Sequence, residues 1–257
     1  MLKVKEKIFL YVLFIIFGFY SCTTKHPSEI VFVFIDCTGS YVGFDRDAKT
    51  KVWYKDWAVE DLFMGVKNIA TAEDYIFMFK KWQLVISEIT GEHSSHNLLF
   101  DRIIDSESSQ NIFNVLNRIK SLPMTDKPDL QTDLYSTLEF VCNYIENYMR
   151  SNNMEKVPKF RIIYYSDMIN ESKRTVENIN TELLKKYLKG KKIFAIFCRG
   201  EEYDTRIKST GRNRFEETKR FLEENIRTEF VFFPPPSSSS ELPSKRGDSY
   251  FSKALKK

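Results

Sequence analysis

The chain alternates short, unbroken apolar runs with longer stretches in which apolar residues recur every three or four positions. Ile30–Ile35 (IVFVFI) is apolar throughout and rich in β-branched and aromatic side chains, which predicts a strand covered on both faces. Asp74–Phe79, Phe160–Tyr165, Lys192–Cys198 and Thr228–Phe233 have the same character. Leu84–Ile89 also fits a strand, and the pattern leaves open whether it is an edge strand or a continuation. Between these runs, Val59, Leu62, Phe63, Val66, Ile69 and Ala70 fall on one helical face. So do Ile112, Phe113, Val115, Leu116 and Ile119, and likewise Leu134, Leu138, Val141, Cys142, Ile145 and Met149. Val176, Ile179, Leu183, Leu184 and Leu188 form a further stripe closed by Gly190, and Phe215, Phe221, Leu222 and Ile226 the last. Gly91–Gln110 reads as a long polar loop. Strands alternating with amphipathic helices predict an α/β fold: a doubly wound, mostly parallel central sheet with helices on both faces, spanning residues 30–233.

Both ends stand apart from that pattern. Lys3, Lys5 and Lys7 precede an apolar run from Ile8 to Tyr20 that ends at Ser21-Cys22. As a helix the run would rise about 20 Å, short of a bilayer's hydrocarbon core of roughly 30 Å, so it predicts a secretory signal over residues 1–21. A Cys directly after a small residue at such a boundary resembles the lipobox of bacterial lipoproteins. The resemblance implies cleavage before Cys22, lipid on Cys22, a linker over 22–29, and an exported protein tethered to the periplasmic or surface face of a bacterial membrane. From Pro234 the chain becomes rich in Pro, Ser and Lys, so residues 234–257 read as a flexible tail in which Arg246-Gly247-Asp248 is a chance triplet.

Composition removes several classes. Lys and Arg number 39 against 35 Asp and Glu, a net charge of +4 and a balance too even for a nucleic-acid binder. Four Cys in 257 residues make no disulfide scaffold, so packing must hold the core. Cys37, Cys142 and Cys198 sit at apolar positions and read as small core residues. His93 and His96 have no matching zinc donors nearby and read as part of a solvated loop.

Open α/β sheets bind ligands beyond the carboxyl ends of their strands. Asp36-Cys37-Thr38-Gly39-Ser40 follows the first strand, Ser166-Asp167 follows FRIIYY, and Gln131-Thr132-Asp133 opens the helix at Leu134. Asp36, Thr38, Ser40, Thr132 and Asp167 are hard oxygen donors of the kind that suits Mg²⁺ or Mn²⁺. In this order they resemble the metal-ion-dependent adhesion site of the von Willebrand factor A domain family, Asp-x-Ser-x-Ser plus a distant Thr and a distant Asp. Thr38 stands where that family usually has Ser, and Met168 where a Gly often follows the Asp. The resemblance implies that these five residues hold the metal and that a protein partner's acidic side chain completes its coordination. It implies a metal-dependent adhesion or assembly module of the cell envelope rather than an enzyme.

Two other readings use the same residues. Asp36-x-Thr38 also resembles the start of haloacid-dehalogenase phosphatases, with Thr38 where their second Asp acts as general acid. A structural A-like domain without metal would use Thr132 as a helix N-cap and Gly39-Ser40 in a turn. The stretch Tyr41–Asp56 mixes aromatics with charges beside the proposed metal loop, and Tyr41, Phe44, Trp53 and Tyr54 are its candidate partner contacts. Trp57 is expected to pack the first helix onto the sheet.

Overall fold

The computed structural model describes residues 26–38, 41–45, 49–71, 81–89, 98–105, 108–123, 132–170, 178–198 and 214–257. β1 (Glu29–Asp36) is followed by a hairpin of β2 (Val42–Asp45) and β3 (Thr50–Trp53), then helix α1 (Tyr54–Thr71). β4 (Lys81–Ile89), β5 (Leu98–Asp105), α2 (Ser109–Lys120), α3 (Leu134–Ser151) and β6 (Phe160–Tyr165) come next. The chain continues through α4 (Thr181–Leu188), β7 (Lys192–Ile196) and α5 (Arg214–Arg220), which runs into a π-helical turn over Phe221–Ile226, and then β8 (Glu229–Phe233). Two 3₁₀ turns (Ser239–Glu241, Pro243–Arg246) and α6 (Tyr250–Lys256) complete it.

Among the described residues, six strands form one sheet in the order β5-β4-β1-β6-β7-β8, parallel except for β5. All eight residues of β1 are buried, as expected for its apolar run Ile30–Ile35 at the centre of a sheet covered on both sides. Its side chains alternate between two cores. Val31, Val33 and Ile35 pack with α1, α2 and α6; Ile30, Phe32 and Phe34 pack with α3, α4 and the α5–π segment. Helix starts are marked by short polar caps: Ser108 accepts from the Asn111 N–H (3.2 Å), Asp133 from Ser136 (3.1 Å) and Asn180 from Leu183 (3.0 Å). Gly190 closes α4 at φ +73°, where a side chain would be strained.

Four readings are settled or corrected. Leu84–Ile89 belongs to β4, which is paired on both sides, parallel to β1 and antiparallel to β5, and so lies inside the sheet. Part of the expected loop Gly91–Gln110 is β5, an edge strand with Leu99, Phe100 and Ile104 buried; Leu98 and Ile103 stay exposed, which breaks the simple two-residue alternation. Two side chains shield its outer edge: Asn111 Oδ1 accepts from the Asp105 N–H (3.1 Å), and Arg102 donates to the Asp101 carbonyl (3.0 Å).

The third correction concerns residues 234–257. They are docked against the domain, so the fold extends beyond Phe233. Phe251, Ala254 and Leu255 have helical spacing and lie in the core with Leu242, and the Phe251 ring is 6.3 Å from that of Trp82. Gly65 in α1 makes room for them, since a Cβ there would lie 2.6 Å from the Phe251 ring. The Asp61 carboxylate clasps the start of α6, accepting from the N–H groups of Tyr250 (2.9 Å) and Phe251 (3.0 Å) and from the Tyr165 hydroxyl (2.8 Å). The Arg-Gly-Asp triplet is a folded turn: Gly247 has φ +75°, its carbonyl accepts from Asn68 (3.1 Å), and Asp248 pairs with Lys253 (2.7 Å). The polar composition of the segment hides a short amphipathic stripe that only the neighbouring helix makes stable.

The fourth correction is to the aromatic contacts. Tyr41 and Tyr54 are each only 2% exposed, with ring centroids 5.1 Å apart, and the Tyr41 hydroxyl donates to the Ile196 carbonyl (3.0 Å). They brace the hairpin against the sheet rather than face a partner. Trp57 is buried, as the helix-packing expectation has it. The strand predicted over Asp74–Phe79, the signal, Cys22, Val176, His93 and His96 lie outside the described residues.

Candidate functional site

β1 and β6 are adjacent parallel strands, with Ile35 opposite Tyr165, so both end at the same rim. β1 ends on Asp36, and Ser166-Asp167 follows β6. The Asp36 carboxylate is buried and gathers hydroxyls from three segments. Its Oδ1 accepts from the Thr38 N–H (3.0 Å) and hydroxyl (2.7 Å). Its Oδ2 accepts from the Ser166 hydroxyl (2.8 Å) and, more weakly, from Thr132 (3.4 Å). The Thr38 and Thr132 hydroxyl oxygens are 2.9 Å apart. Burial is the largest influence on Asp36 and raises its pKa above the usual carboxylate value, against the pull of the Thr38, Ser166 and Thr132 hydrogen bonds.

Thr132 is free to face Asp36 because it does not cap α3. Asp133 does so, and Leu134 donates its N–H to Asn170 Oδ1 (3.0 Å), tying the start of α3 to the loop after β6. That loop is held by its own side chains. The Met168 N–H donates to the Ser166 hydroxyl (3.0 Å), the Ile169 N–H to Asp167 Oδ1 (3.0 Å), and Cys198 Sγ to the Asp167 carbonyl (3.3 Å). Met168 has φ +61°, a conformation natural to glycine and costly for other residues. The position where the resembled family often has Gly therefore keeps a glycine-like backbone here.

Of the five expected ligands, Asp36, Thr38 and Thr132 meet directly. Asp167 stands next to Ser166 and is nearly buried, with one carboxylate oxygen engaged in its own loop. Ser40 lies outside the described residues, and Phe44 lies in β2 with no described side chain. Trp53 is half-buried on β3, with the Lys51 and Lys55 ammonium groups 5.2 and 5.8 Å from its ring centroid. Ser166 is the participant that the sequence reading passed over. Its signal was its place directly after the β6 strand, on the same rim as Asp36.

Cys37 is buried beside Glu88 (3.8 Å), and burial, reinforced by Glu88 and Asp36, raises its thiol pKa, so it is a poor nucleophile. Cys37, Cys142 and Cys198 are all buried, and none of the three is in a disulfide. Among the described residues no group of three or more His, Cys, Asp or Glu side chains is arranged to hold a metal ion by itself, so a metal at this rim would depend on hydroxyl oxygens as well as carboxylates.

No protein-family profile and no curated protein matches the sequence. Among solved structures, the fold is similar to the PilB minor pilin from Streptococcus sanguinis, at 12% identity and a TM-score of 0.49, over 87% of this chain and 60% of that one. It is also similar to the pilus adhesin SpaC from Lactobacillus rhamnosus GG, at 9% identity and a TM-score of 0.49, over 91% of this chain and 31% of that one. The chain thus spans less than two thirds of either protein. Likeness at this level carries no inference about activity or partners.

Proposed function

We propose that this chain is a membrane-tethered, divalent-metal-dependent protein-binding module of the bacterial cell envelope, with the doubly wound sheet of the von Willebrand factor A type. The reading rests on one observation: a buried carboxylate at the rim, Asp36, meets hydroxyls from Thr38, Thr132 and Ser166, which lie far apart in the chain. The sheet order supports it. Without the β2–β3 hairpin, the strands run 3-2-1-4-5-6 in chain order. Folds of that order bind ligands where the order reverses, which here is between β1 and β6, the strands that deliver Asp36 and Asp167.

The donors fit a small hard cation, being carboxylate and hydroxyl oxygens. Asp36, Thr38, Ser40, Thr132 and Asp167 would hold Mg²⁺ or Mn²⁺, with Ser166 orienting Asp36. When bound, the ion would supply an electrophilic position for a partner's Asp or Glu. Calorimetric titration of Mg²⁺ and Mn²⁺ into the full chain tests the reading. Saturable binding that disappears in Asp36→Ala is expected. No saturable binding, or binding unchanged when Asp36→Ala and Asp167→Ala are combined, would refute it.

A further inference from the structure

The end of the sheet opposite the candidate site is unevenly charged. In sheet order, β4 begins at Lys81, β1 at Glu29, β6 directly after Lys159, β7 at Lys192 after Lys191, and β8 shortly after Arg227. Backbone hydrogen bonds join these starts into one rim. Ser28 donates to the Lys81 carbonyl (2.8 Å), Ile30 to Lys159 (2.9 Å), Glu229 to Lys191 (3.0 Å) and Gly190 to Arg227 (2.9 Å).

The carboxylates at this end leave a cationic excess. Glu29 is fully buried and is taken by Arg161 (2.8 Å) with Lys159 at 3.9 Å, while Glu229 pairs with Lys192 at 3.6 Å. Asp105 lies opposite Lys81, and Glu155 is beside Lys156 in the loop into β6. The Lys191 ammonium lies 4.6 Å from the Phe160 ring centroid. Burial lowers its pKa; Glu29 opposes that shift and Lys159 adds to it. Cations held this close repel one another, and an anionic surface would relieve that repulsion.

The chain enters the fold at the same rim. Cys22 precedes Ser28 by a linker that reaches at most about 20 Å when extended. β1 then carries the chain roughly 23 Å to Asp36 at the far rim. We propose that the lysine-rich rim rests on an anionic lipid bilayer, so that the Asp36 site points away from the membrane. This rests on the membrane tether of the proposed function. It adds what the tether alone would not impose, an orientation held by charge and therefore sensitive to salt.

Lysine footprinting of the full chain mixed with vesicles tests this, comparing pure phosphatidylcholine with a mixture containing phosphatidylglycerol. Labelling of Lys159, Lys191 and Lys192 should slow several-fold with phosphatidylglycerol and recover in high salt, while Lys51 on the hairpin labels equally with both. In the Lys159→Gln/Lys191→Gln/Lys192→Gln variant, checked for native circular dichroism, salt-sensitive protection of Lys81 should be largely lost, since each charge removed weakens attraction to the anionic surface by roughly fivefold. Equal labelling on both vesicles, with the chain floating on both, overturns the orientation and leaves the tether standing. Flotation on phosphatidylglycerol vesicles alone, with these lysines protected, supports the charged rim and sinks the tether. A chain that floats on neither overturns both. Equal protection by soluble polyphosphate would assign the rim to a soluble polyanion and overturn the bilayer proposal.

Discussion

Asp61 links the body of the domain to its C-terminal segment, and its protonation should set how tightly that segment is held. Its carboxylate is buried against α6, and burial raises its pKa from 3.8 to about 6 despite hydrogen bonds from Tyr250, Phe251, Tyr165 and Ser249. A raised acid binds its proton more tightly in the folded chain than in the unfolded one. Its stabilising contribution is therefore complete below the unfolded value and is lost as pH rises through about 6. The full span corresponds to about 3 kcal/mol, of which about 1.3 kcal/mol falls between pH 5 and 7. Asp61→Asn removes that titration but keeps an oxygen for some of the donors. It should cost about 1–3 kcal/mol through the lost hydrogen bonds and flatten the pH profile. The assay is urea unfolding at pH 5, 6 and 7 followed by tryptophan fluorescence, since Trp82 packs beside Phe251. The wild-type chain should gain about 1 kcal/mol from pH 7 to pH 5, and the variant should lose most of that gain. Equal slopes in the two proteins would refute the reasoning.

Two further outcomes follow from the packing. Gly65→Ala places a Cβ 2.6 Å from the Phe251 ring and 2.8 Å from Ser249 Oγ, so α6 must shift. It should destabilise the chain by about 1–3 kcal/mol, although Ala is the better helix former, and increase proteolysis after Phe233; a stabilised variant would disprove the close approach. At Met168, replacement by Gly should cost about 1 kcal/mol less than replacement by Ala, because both lose the buried side chain and only Gly relieves the positive φ. Chemical denaturation of the pair decides it, and Ala the milder change would overturn the strain argument.

Much of the fold was legible along the chain. Runs such as IVFVFI and FRIIYY match β1 and β6, because strands buried on both faces are built mostly of apolar residues. The helix stripes at Leu134–Met149 and Ile112–Ile119 match α3 and α2, because each presents one face to the sheet. β5 was missed because an edge strand obeys a looser pattern, and α6 because its composition outweighed three apolar residues. The rim donors Asp36, Thr38 and Thr132 were legible because strand ends and helix starts in this architecture fall at predictable places. Ser166 and the burial of Tyr41 and Tyr54 were not, because which hydroxyl reaches a carboxylate and which aromatic turns inward depend on partners distant in sequence.

By itself the sequence determined where most of the strands and helices form and that Asp36, Thr38 and Thr132 stand at their ends, since those follow from local periodicity and from short capping and turn signals. The tertiary structure alone decided that Thr38, Thr132 and Ser166 share one carboxylate. It alone decided that residues after Phe233 complete a core. Those outcomes turn on contacts between segments more than a hundred residues apart in some cases, and no local pattern encodes the distance between two side chains that meet only when the sheet is assembled.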